Sequence, residues 1–363
     1  MGAGISGATL ANLLSKNNEI VIIDSSDHIA GNCYDYRDEN GIMIHKYGSH
    51  IFHTSNEDVW DFLSQFTSFN TYKHKVIGMI NGIEVPIPFN FNSIRTVFSK
   101  TMAESIERKL LSNYQYGIKI PIMEFIKQDD EELKFLAEYI YENIFLHYTE
   151  KQWGYSPKDI DSSVTARVPV YLSRDDSYFQ DRFQGIPLEG YTKMIERMLD
   201  SPNIEVRLNT PFNKGDMNGY DKVLNTGPID EFMDYCFGPL PYRSVNFRME
   251  TFNRDHYQSN AVVNYPNNYE FTRIHEYKYY LNDKSGRTVI AKEYSEDFVP
   301  GKNERFYPVP NEKNSFLYNR YLEAAKQKYP NMLFLGRLGD YKYYDMDEAV
   351  ARAMDVCKRL LMS

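Results

Sequence analysis

The chain has 363 residues and a formal net charge of −9, from 50 acidic and 41 basic side chains. This length predicts two or three domains with a substantial core. The acidic balance argues against nucleic acid or an anionic membrane as the main partner. Three cysteines without metal-like spacing, no apolar run long enough to span a membrane and no signal-peptide pattern predict a cytoplasmic protein.

The first element is a glycine turn with the pattern Gly2-x-Gly4-x-x-Gly7. A helical apolar pattern follows, and then a short apolar segment, 19–23, that ends in Asp24. This order is typical of a dinucleotide-binding unit, in which bare glycine backbone approaches a pyrophosphate at a helix N-terminus. An acid at the strand end accepts hydrogen bonds from ribose hydroxyls. An ordinary strand–turn–helix with flexible glycines is the alternative interpretation.

Only Met1 precedes this turn, although the first strand of such a unit lies in the centre of its sheet. We therefore expect a sheet without its middle strand, weak cofactor binding and a tendency to aggregate. The reason is the loss of several buried apolar side chains, each worth about 1.5–3 kcal/mol. A late start site, a shortened chain and a real defect are the three open explanations.

Further along, Asn40-Gly41 and Asn81-Gly82 each separate two apolar segments, which predicts hairpins with type I′ turns. A short helix is predicted over 59–66. Apolar residues then recur at helical spacing, which predicts one buried helix face: Leu133, Leu136, Ile140 and Ile144. The segment 148–188 is long, polar and irregular, as functional loops often are.

The second half alternates helical and strand patterns. Helices are predicted over 190–199 and 317–328, and a final helix should bury Val350, Met354, Cys357 and Leu361 on one face. Strands are predicted over 204–208, 222–225, 261–264, 269–274, 289–294 and 332–335. The fold class is therefore α/β, with a Rossmann-like domain, an inserted helical domain and an antiparallel sheet domain. The predicted domains are 1–67 with 187–230 and 317–363, then 91–155, and finally 68–90 with 156–186 and 231–316.

The chemistry-bearing residues do not form a familiar catalytic set. No Ser-His-Asp or Cys-His arrangement stands out. His50 and His53 lack further ligands at metal spacing, so no metal is predicted, and they are either structural or face a cofactor. Six arginines are scattered through the chain, several of them beside tyrosines: Arg167, Arg174, Arg182, Arg243, Arg273 and Arg337. Any one of them alone is more typical of a surface ion pair, but their clustering with tyrosines in predicted loops and strand edges favours diphosphate recognition.

Taken together, the motifs resemble one family, bacterial UDP-galactopyranose mutase. The resemblance runs through nearly the whole chain in order. It is carried by the glycine turn and by segments 50–54, 148–154, 183–187, 190–192, 226–230, 336–339 and 341–347. The chain departs from the family's pattern at two residues, Ala30 and His147, which stand where the family usually has glycine.

The resemblance implies a flavoenzyme with FAD as cofactor, active in the reduced form, that converts UDP-galactopyranose to UDP-galactofuranose without net redox. The flavin N5 attacks the anomeric carbon and displaces UDP. It also implies a reductant such as NAD(P)H, a homodimer and no membrane or nucleic-acid partner. The alternatives are an oxidoreductase of the amine-oxidase type and a truncated, non-catalytic form that binds UDP-sugar. Acceptance of the N-acetylated substrate stays open.

The resemblance also implies roles for individual residues. The proposed catalytic residues are Arg167, Arg273, Arg337 and His53. Substrate is expected at Tyr148, which would stack on uracil, and at Trp153, Trp60, Arg167, Tyr178, Arg243, Arg273, Tyr307, Tyr343 and Asp345. Cofactor is expected at Gly2, Gly4, Ser6, Gly7, Asp24, Asn32, His50, His53, Gly227, Arg337, Asp345 and Met346.

Overall fold

The computed structural model describes residues 2–166 and 168–362. The chain divides into two compact units. The first unit comprises Met1–Tyr72, Asp181–Tyr242 and Arg305–Ser363, and the second comprises Lys73–Gln180 and Arg243–Glu304. The predicted helical segment and most of the predicted antiparallel sheet thus belong to one unit. Within the described chain, no helix combines the length and apolar character needed to cross a membrane.

The first unit mixes short strands with helices, as the alternating sequence pattern predicts. Its strands are Ile20–Ile23, Asp35–Arg37, Met43–His45, Phe52–Thr54, Phe183–Gly185, Ile204–Arg207, Val223–Asn225, Tyr307–Pro308 and Met332–Phe334. Its α-helices are Ile5–Leu14, Glu57–Ser64, Tyr191–Leu199, Ile229–Phe232, Glu312–Lys328, Gly336–Gly339 and Met346–Met362, and its 3₁₀ turns are Gly31–Cys33 and Lys214–Gly219.

Two of the two-stranded sheets in the first unit are parallel strand pairs. Ile20–Ile23 pairs with Ile204–Arg207, and Val223–Asn225 pairs with Met332–Phe334. An apolar cavity of about 120 Å³ is lined by residues of both pairs and by the helix Ile5–Leu14. The Gly2 N–H donates to the Ile23 carbonyl at 2.8 Å, so the glycine turn leaves from the edge of this cavity.

The first and last helices share one core. Leu10 and Leu14 cluster with Ala353, Val356 and Cys357. The predicted buried face of the last helix is therefore only partly right. Val350 and Cys357 are buried, whereas Leu361 is 55 % exposed because the helix extends past the elements it packs against. Ala353, which the apolar pattern did not single out, is the small residue of this helix that packs with Leu10 and Leu14.

The second unit is a sheet with helices. Its strands are Val76–Ile80, Ile83–Ile87, Lys119–Ile120, Val170–Tyr171, Tyr242–Phe252, Val262–Asn264, Arg273–Glu276 and Thr288–Asp297. Its α-helices are Phe91–Val97, Lys100–Asn113, Ile122–Phe125, Glu131–Ile140, His147–Trp153, Ser162–Ala166 and Lys278–Leu281, with a π-helical segment at Tyr141–Leu146. Neighbouring long strands are antiparallel, except that Val262–Asn264 runs parallel to Val76–Ile80.

Both predicted hairpins form, but only one has the predicted turn. Asn81 and Gly82 have φ values of 50° and 80°, and Ile80 pairs with Ile83, as a type I′ turn requires. At the other hairpin the strands end at Arg37 and begin again at Met43. That turn prediction is wrong because the Asp38 carboxylate accepts the N–H groups of Asn40 and Ile42 and holds a longer loop.

The helix predicted from Leu133 to Ile144 is confirmed, since all four apolar positions are buried. It changes to π-helical hydrogen bonding at Tyr141, which periodicity does not reveal. The strand predicted over 269–274 is wrong before Arg273. The carbonyls of Tyr269 and Phe271 instead accept hydrogen bonds from the Lys151 ammonium, which draws this segment into a loop.

Candidate active site

The main cavity of the first unit has a volume of about 630 Å³. Its wall is built from the glycine turn, the end of the strand Ile20–Ile23 and the starts of the helices Gly336–Gly339 and Met346–Met362. All of the predicted cofactor residues except His53 lie on this wall. They are Gly2, Gly4, Ser6, Gly7, Asp24, Asn32, His50, Gly227, Arg337, Asp345 and Met346.

Glycine is required where backbone segments meet at this cavity. Gly2 has φ +86°, and a Cβ there would lie 2.1 Å from the Thr226 Oγ1. Gly31 has φ +51°, and its Cβ would lie 3.1 Å from the Gly4 Cα. The bare backbone leaves the first N–H groups of the helix Ile5–Leu14 facing the cavity, which is the arrangement that binds a pyrophosphate.

Polar groups on the same wall suit the remaining parts of a dinucleotide. Asp24 accepts the Ala3 N–H at 2.7 Å and the Ser26 N–H at 2.9 Å, which fixes its carboxylate. The Asn225 Oδ1 accepts the Gly227 N–H at 2.7 Å. Its buried Nδ2 has no hydrogen-bond partner among the described residues. A buried donor of this kind is satisfied when a ligand supplies an acceptor, so the residues present fit FAD.

Ala30 adopts a left-handed conformation, with φ 75°, and it is fully buried. Its N–H donates to the Ala3 carbonyl at 2.8 Å, and the residue lines the cavity. A left-handed backbone disfavours any residue with a Cβ, so glycine would suit this position better than alanine.

Sequence reasoning missed several residues of the cavity wall. Thr210, Phe212, Lys214 and Asp234 lie in irregular segments that carried no pattern. Lys214 pairs with Asp234 and lies over the Phe232 ring at 5.3 Å from its centroid. Only tertiary contacts bring these side chains to the glycine turn, so no signal in the sequence reveals them.

His53 is a half-buried residue that pairs with an acid the sequence did not reveal. Its Nδ1 lies 2.9 Å from an Asp181 oxygen, and the other Asp181 oxygen accepts the Ser55 hydroxyl hydrogen bond at 2.9 Å. A carboxylate only accepts, so the His53 Nδ1 carries a proton and donates it to Asp181. His50 is fixed similarly, because its Nδ1 donates to the Gly48 carbonyl at 2.8 Å.

Arg337 lies with two of the predicted substrate tyrosines. Its guanidinium carbon is 5.3 Å from the Tyr307 ring centroid and 5.5 Å from that of Tyr343. The two rings lie 5.2 Å apart, and the Arg337 Nη2 donates to the Tyr344 carbonyl at 2.7 Å. The first unit therefore brings a cation and two phenol groups together, and Arg337 of this group lines the cavity. Donors of these types suit a diphosphate.

Trp60, also predicted at the substrate, belongs to an aromatic stack. Its ring centroid lies 4.6 Å from that of Phe69 and 4.9 Å from that of Phe183. Asp345 lies at the start of the last helix, where its N–H donates to the Glu348 carboxylate at 2.9 Å. The acids of this first turn complement the helix dipole.

Arg273 of the second unit is held by a buried acid. Its Nε lies 3.0 Å from Glu293, which also accepts hydrogen bonds from His275 at 2.8 Å and from Thr272 at 3.0 Å. Burial raises the pKa of Glu293, but Arg273 and the His275 hydrogen bond outweigh it and lower the pKa to about 2. Burial lowers the pKa of His275, so its neutral ring donates to the carboxylate.

The other predicted substrate residues of the second unit occupy separate environments. Tyr148 and Trp153 lie on the helix His147–Trp153, and Trp153 is buried. The Tyr178 ring packs edge-on against His74. The Arg243 side chain is buried and contacts backbone carbonyls of the Tyr148 helix. Arg167 lies outside the described residues. These substrate and catalytic roles stay predictions.

Two family models match this chain. The model for UDP-galactopyranose mutase matches residues 143–343, and the model for an NAD(P)-binding Rossmann-like domain matches residues 1–66. Among curated proteins, a probable UDP-galactopyranose mutase of Klebsiella pneumoniae is 38% identical over 368 residues, covering 100% of this chain and 94% of that protein. The dTDP-fucopyranose mutase of Escherichia coli is 37% identical over 371 residues, covering 99% and 97%.

The fold is similar to solved flavoprotein structures. A crystal structure of reduced UDP-galactopyranose mutase superposes with a TM-score of 0.72 at 17% identity, covering 99% of this chain and 94% of that one. A putrescine oxidase bound to putrescine gives 0.58 at 11% identity, covering 100% and 98%. At such identities these likenesses show the fold alone.

The fold and the cavity thus define an α/β flavoprotein with a Rossmann-like, FAD-binding domain, as the sequence predicts. The curated relatives, at more than 30% identity over almost the full chain, define its family. The chain belongs to the UDP-galactopyranose mutase family and is an isomerase. The predicted family, fold class and enzyme class are confirmed, and the amine-oxidase alternative is reduced to a distant likeness of fold.

Proposed function

We propose that this isomerase interconverts UDP-galactopyranose and UDP-galactofuranose and works with FAD in its reduced form. The observation that carries the proposal is the cavity of the first unit, where nearly all of the predicted cofactor residues meet in a chain of this family. When bound, a reduced flavin supplies the nucleophile that attacks the anomeric carbon, which fits a chain without its own nucleophile–base pair.

The protein's own residues then bind, orient and neutralise charge. Arg337, with Tyr307 and Tyr343, offers donors to a diphosphate beside the cavity wall. Arg273 is oriented by Glu293, and its charge suits the same class of anion. His53 is oriented by the hydrogen bond from its Nδ1 to Asp181. Arg167 completes the proposed set of catalytic residues.

A second candidate substrate follows from the relatives. The dTDP-fucopyranose mutase of Escherichia coli is about as similar to this chain as the Klebsiella protein, at 37% against 38% identity. The two substrates differ in the base, in the pentose of the nucleotide and in the hexose, but both are pyrimidine nucleoside diphosphate sugars and need a diphosphate site. We rank the UDP-sugar first because the matching family model carries that description.

The test is an anaerobic assay of the purified holoenzyme with UDP-galactofuranose, followed by chromatography of the pyranose product. We expect turnover only after the flavin is reduced and no reductant consumed per turnover. Parallel reactions contain dTDP-fucopyranose and UDP-N-acetylgalactosamine. Equal rates with oxidised flavin, or one reductant consumed per product, would contradict the mechanism. Turnover of the dTDP-sugar alone would show that dTDP-fucopyranose, the second candidate, is the substrate.

The remaining parts of the proposal rest on the sequence alone. They are a reductant such as NAD(P)H, a homodimeric state and a cytoplasmic location. Light scattering with chromatography tests the dimer, and flavin bleaching by NADH or NADPH under anaerobic conditions tests the reductant.

A further inference from the structure

The helix that carries Tyr148, His147–Trp153, is the last part of a helical run that begins at Glu131. The π-helical segment Tyr141–Leu146 separates it from the first part, and it ends at Gly154, whose φ is 73°. The hydrogen bonding is no longer regularly α-helical in the π-helical segment, so contacts of this last part with other elements help to fix the position of Tyr148.

Lys151 supplies one such contact through its side chain. The Nζ lies within hydrogen-bond distance of four carbonyl oxygens: that of Tyr265, those of Asn267 and Phe271 at 3.2 Å, and that of Tyr269 at 3.1 Å, which share its three N–H groups. One ammonium thus binds a whole loop, which leads directly into the strand Arg273–Glu276. Burial lowers the pKa of Lys151 to about 8, so the group is still a cation with three N–H donors at neutral pH.

Arg243 supplies the second contact, at the last turn of the same helix. Its Nε donates to the Gln152 carbonyl at 2.9 Å, and its Nη2 donates to the Lys151 carbonyl at 3.1 Å. The last carbonyls of a helix carry partial negative charge and lack partners within the helix, so a guanidinium stabilises them. The Nη1 pairs with Asp297, and the Arg243 side chain is only 6% exposed.

Gly154 allows this close approach. A Cβ at Gly154 would lie 3.0 Å from the Arg243 Nη1, and the positive φ of the residue also disfavours a side chain. The helix is therefore held twice, by its own Lys151 side chain and by Arg243 beneath its last turn. Both contacts use backbone carbonyls as acceptors, so they fix the path of the main chain.

We propose that Lys151 and Arg243 are positioning residues for nucleotide recognition, which fix the Tyr148 helix and join it to the segment that leads to Arg273. The inference rests on the proposed function, in which Tyr148 stacks on the base. It also changes the role predicted for Arg243. The sequence predicts that this guanidinium binds the diphosphate, whereas here it binds carbonyls of the helix and pairs with Asp297. The ligand class is a pyrimidine nucleoside diphosphate.

The experiment uses the holoenzyme with Lys151→Met and Arg243→Met, and measures KM and kcat for UDP-galactofuranose and the affinity for UDP by calorimetry. We expect KM and the UDP dissociation constant to rise about tenfold or more, with kcat changed less than about threefold, because a lost positioning contact weakens binding before chemistry. Lys134→Met and Arg108→Met, on exposed helix surfaces, serve as matched controls and should match the parent.

A double-mutant cycle separates positioning from a general loss of stability. Once Tyr148→Ala has removed the stacking ring, Lys151→Met should weaken UDP binding by less than about twofold more, because coupled residues are not additive. Hydrogen exchange should quicken in 147–153 in both single variants. Lys151→Arg, which keeps a cationic donor, should restore part of the affinity. If a methionine variant fails to fold, Lys151→Gln and Arg243→Lys replace it.

The outcomes are distinguishable. An active parent whose variants keep parental KM and UDP affinity, or whose effects add fully to those of Tyr148→Ala, overturns the positioning role and leaves the proposed function standing. Loss of melting temperature with unchanged UDP affinity also overturns it, since that is a purely structural role. A parent that turns over none of the nucleotide-sugars and does not bind UDP overturns the proposed function and this inference together.

Discussion

At the residue scale, the same residue type has different physical roles in this chain. Gly31 and Gly41 both have a positive φ, at 51° and 76°. A Cβ on Gly31 would meet the backbone of Gly4, whereas a Cβ on Gly41 would meet nothing within 4 Å. Only Gly31, which lies on the cavity wall, must be glycine because another backbone segment comes close to it.

This difference predicts separable effects on FAD binding. Gly31→Ala should lower both the bound flavin per protein and the stability of the holoenzyme, because about 1–2 kcal/mol of left-handed strain is added to the crowding against Gly4. Gly41→Ala should carry the strain alone and keep its flavin. Flavin absorbance per protein and melting temperature measure both effects. Equal flavin content in the two variants would contradict the role of close approach.

Arg273 is the residue whose charge the proposed chemistry needs most in the second unit. Arg273→Ala should lower kcat/KM about 100- to 1000-fold, or about 3–4 kcal/mol of transition-state stabilisation, because a charge-assisted contact to the diphosphate is lost. Arg248→Ala is the control, since Arg248 lies over the Tyr294 ring and has no predicted role at the site. Steady-state kinetics with the reduced enzyme measure kcat/KM for both variants and the parent. A change of less than about threefold would remove Arg273 from the site.

At the element scale, the two parallel strand pairs of the first unit are the feature most open to experiment. Residues of both pairs line an apolar cavity, and Gly2 is hydrogen-bonded to Ile23 at its edge. Gly2 itself lies on the wall of this cavity. An added strand there would hydrogen-bond to the sheet edge and bury its apolar side chains.

We therefore predict that adding about six apolar residues ahead of Gly2 stabilises the protein, since this is the length of an ordinary strand. The melting temperature and the flavin content per protein should both rise above those of the chain that begins at Met1. An extension of equal length with alternating Ser and Pro is the control, because proline cannot complete a central ladder. If both extensions behave alike, or if the unextended chain already holds stoichiometric flavin, the account of this cavity is wrong.

At the scale of the whole molecule, buried charge links the candidate site to the pH dependence of stability. Glu293 has a folded-state pKa of about 2, below its ordinary value of 4.5. A lowered carboxyl pKa means that the charged form stabilises the fold. That stabilisation is fully present above about pH 4.5 and is lost as the pH falls towards about 2.

Comparison with Glu293→Gln isolates this contribution. The variant should melt below the parent at pH 7, by several degrees, because removing one partner of a buried pair costs about 3–5 kcal/mol. This difference in melting temperature should become smaller as the pH falls below about 4.5, because the parent then loses the charge that the variant lacks. Glu142→Gln, at an exposed position, should show no such gap. Thermal unfolding from pH 7 to pH 3 gives the measurement, and a gap independent of pH would contradict the coupling.

The sequence by itself determined the nature of this protein. The glycine turn, the Asp24 strand end and the later motifs identified the fold class, the FAD-binding character and the family, because these depend on local backbone geometry and on residues at fixed spacing. The Asn81-Gly82 hairpin and the buried face of the helix Glu131–Ile140 were predictable for the same reason. Each is decided by neighbours within a few residues.

Only the tertiary structure decided which distant side chains meet. Asp181 is 128 positions from His53, and Arg243 is 91 positions from the carbonyl of Gln152 that it binds. The loop 265–271 was predicted partly as a strand, because its aromatic residues favour strands and nothing local shows that Lys151 will capture its carbonyls. Such contacts depend on how whole elements pack, and residue spacing carries no information about them.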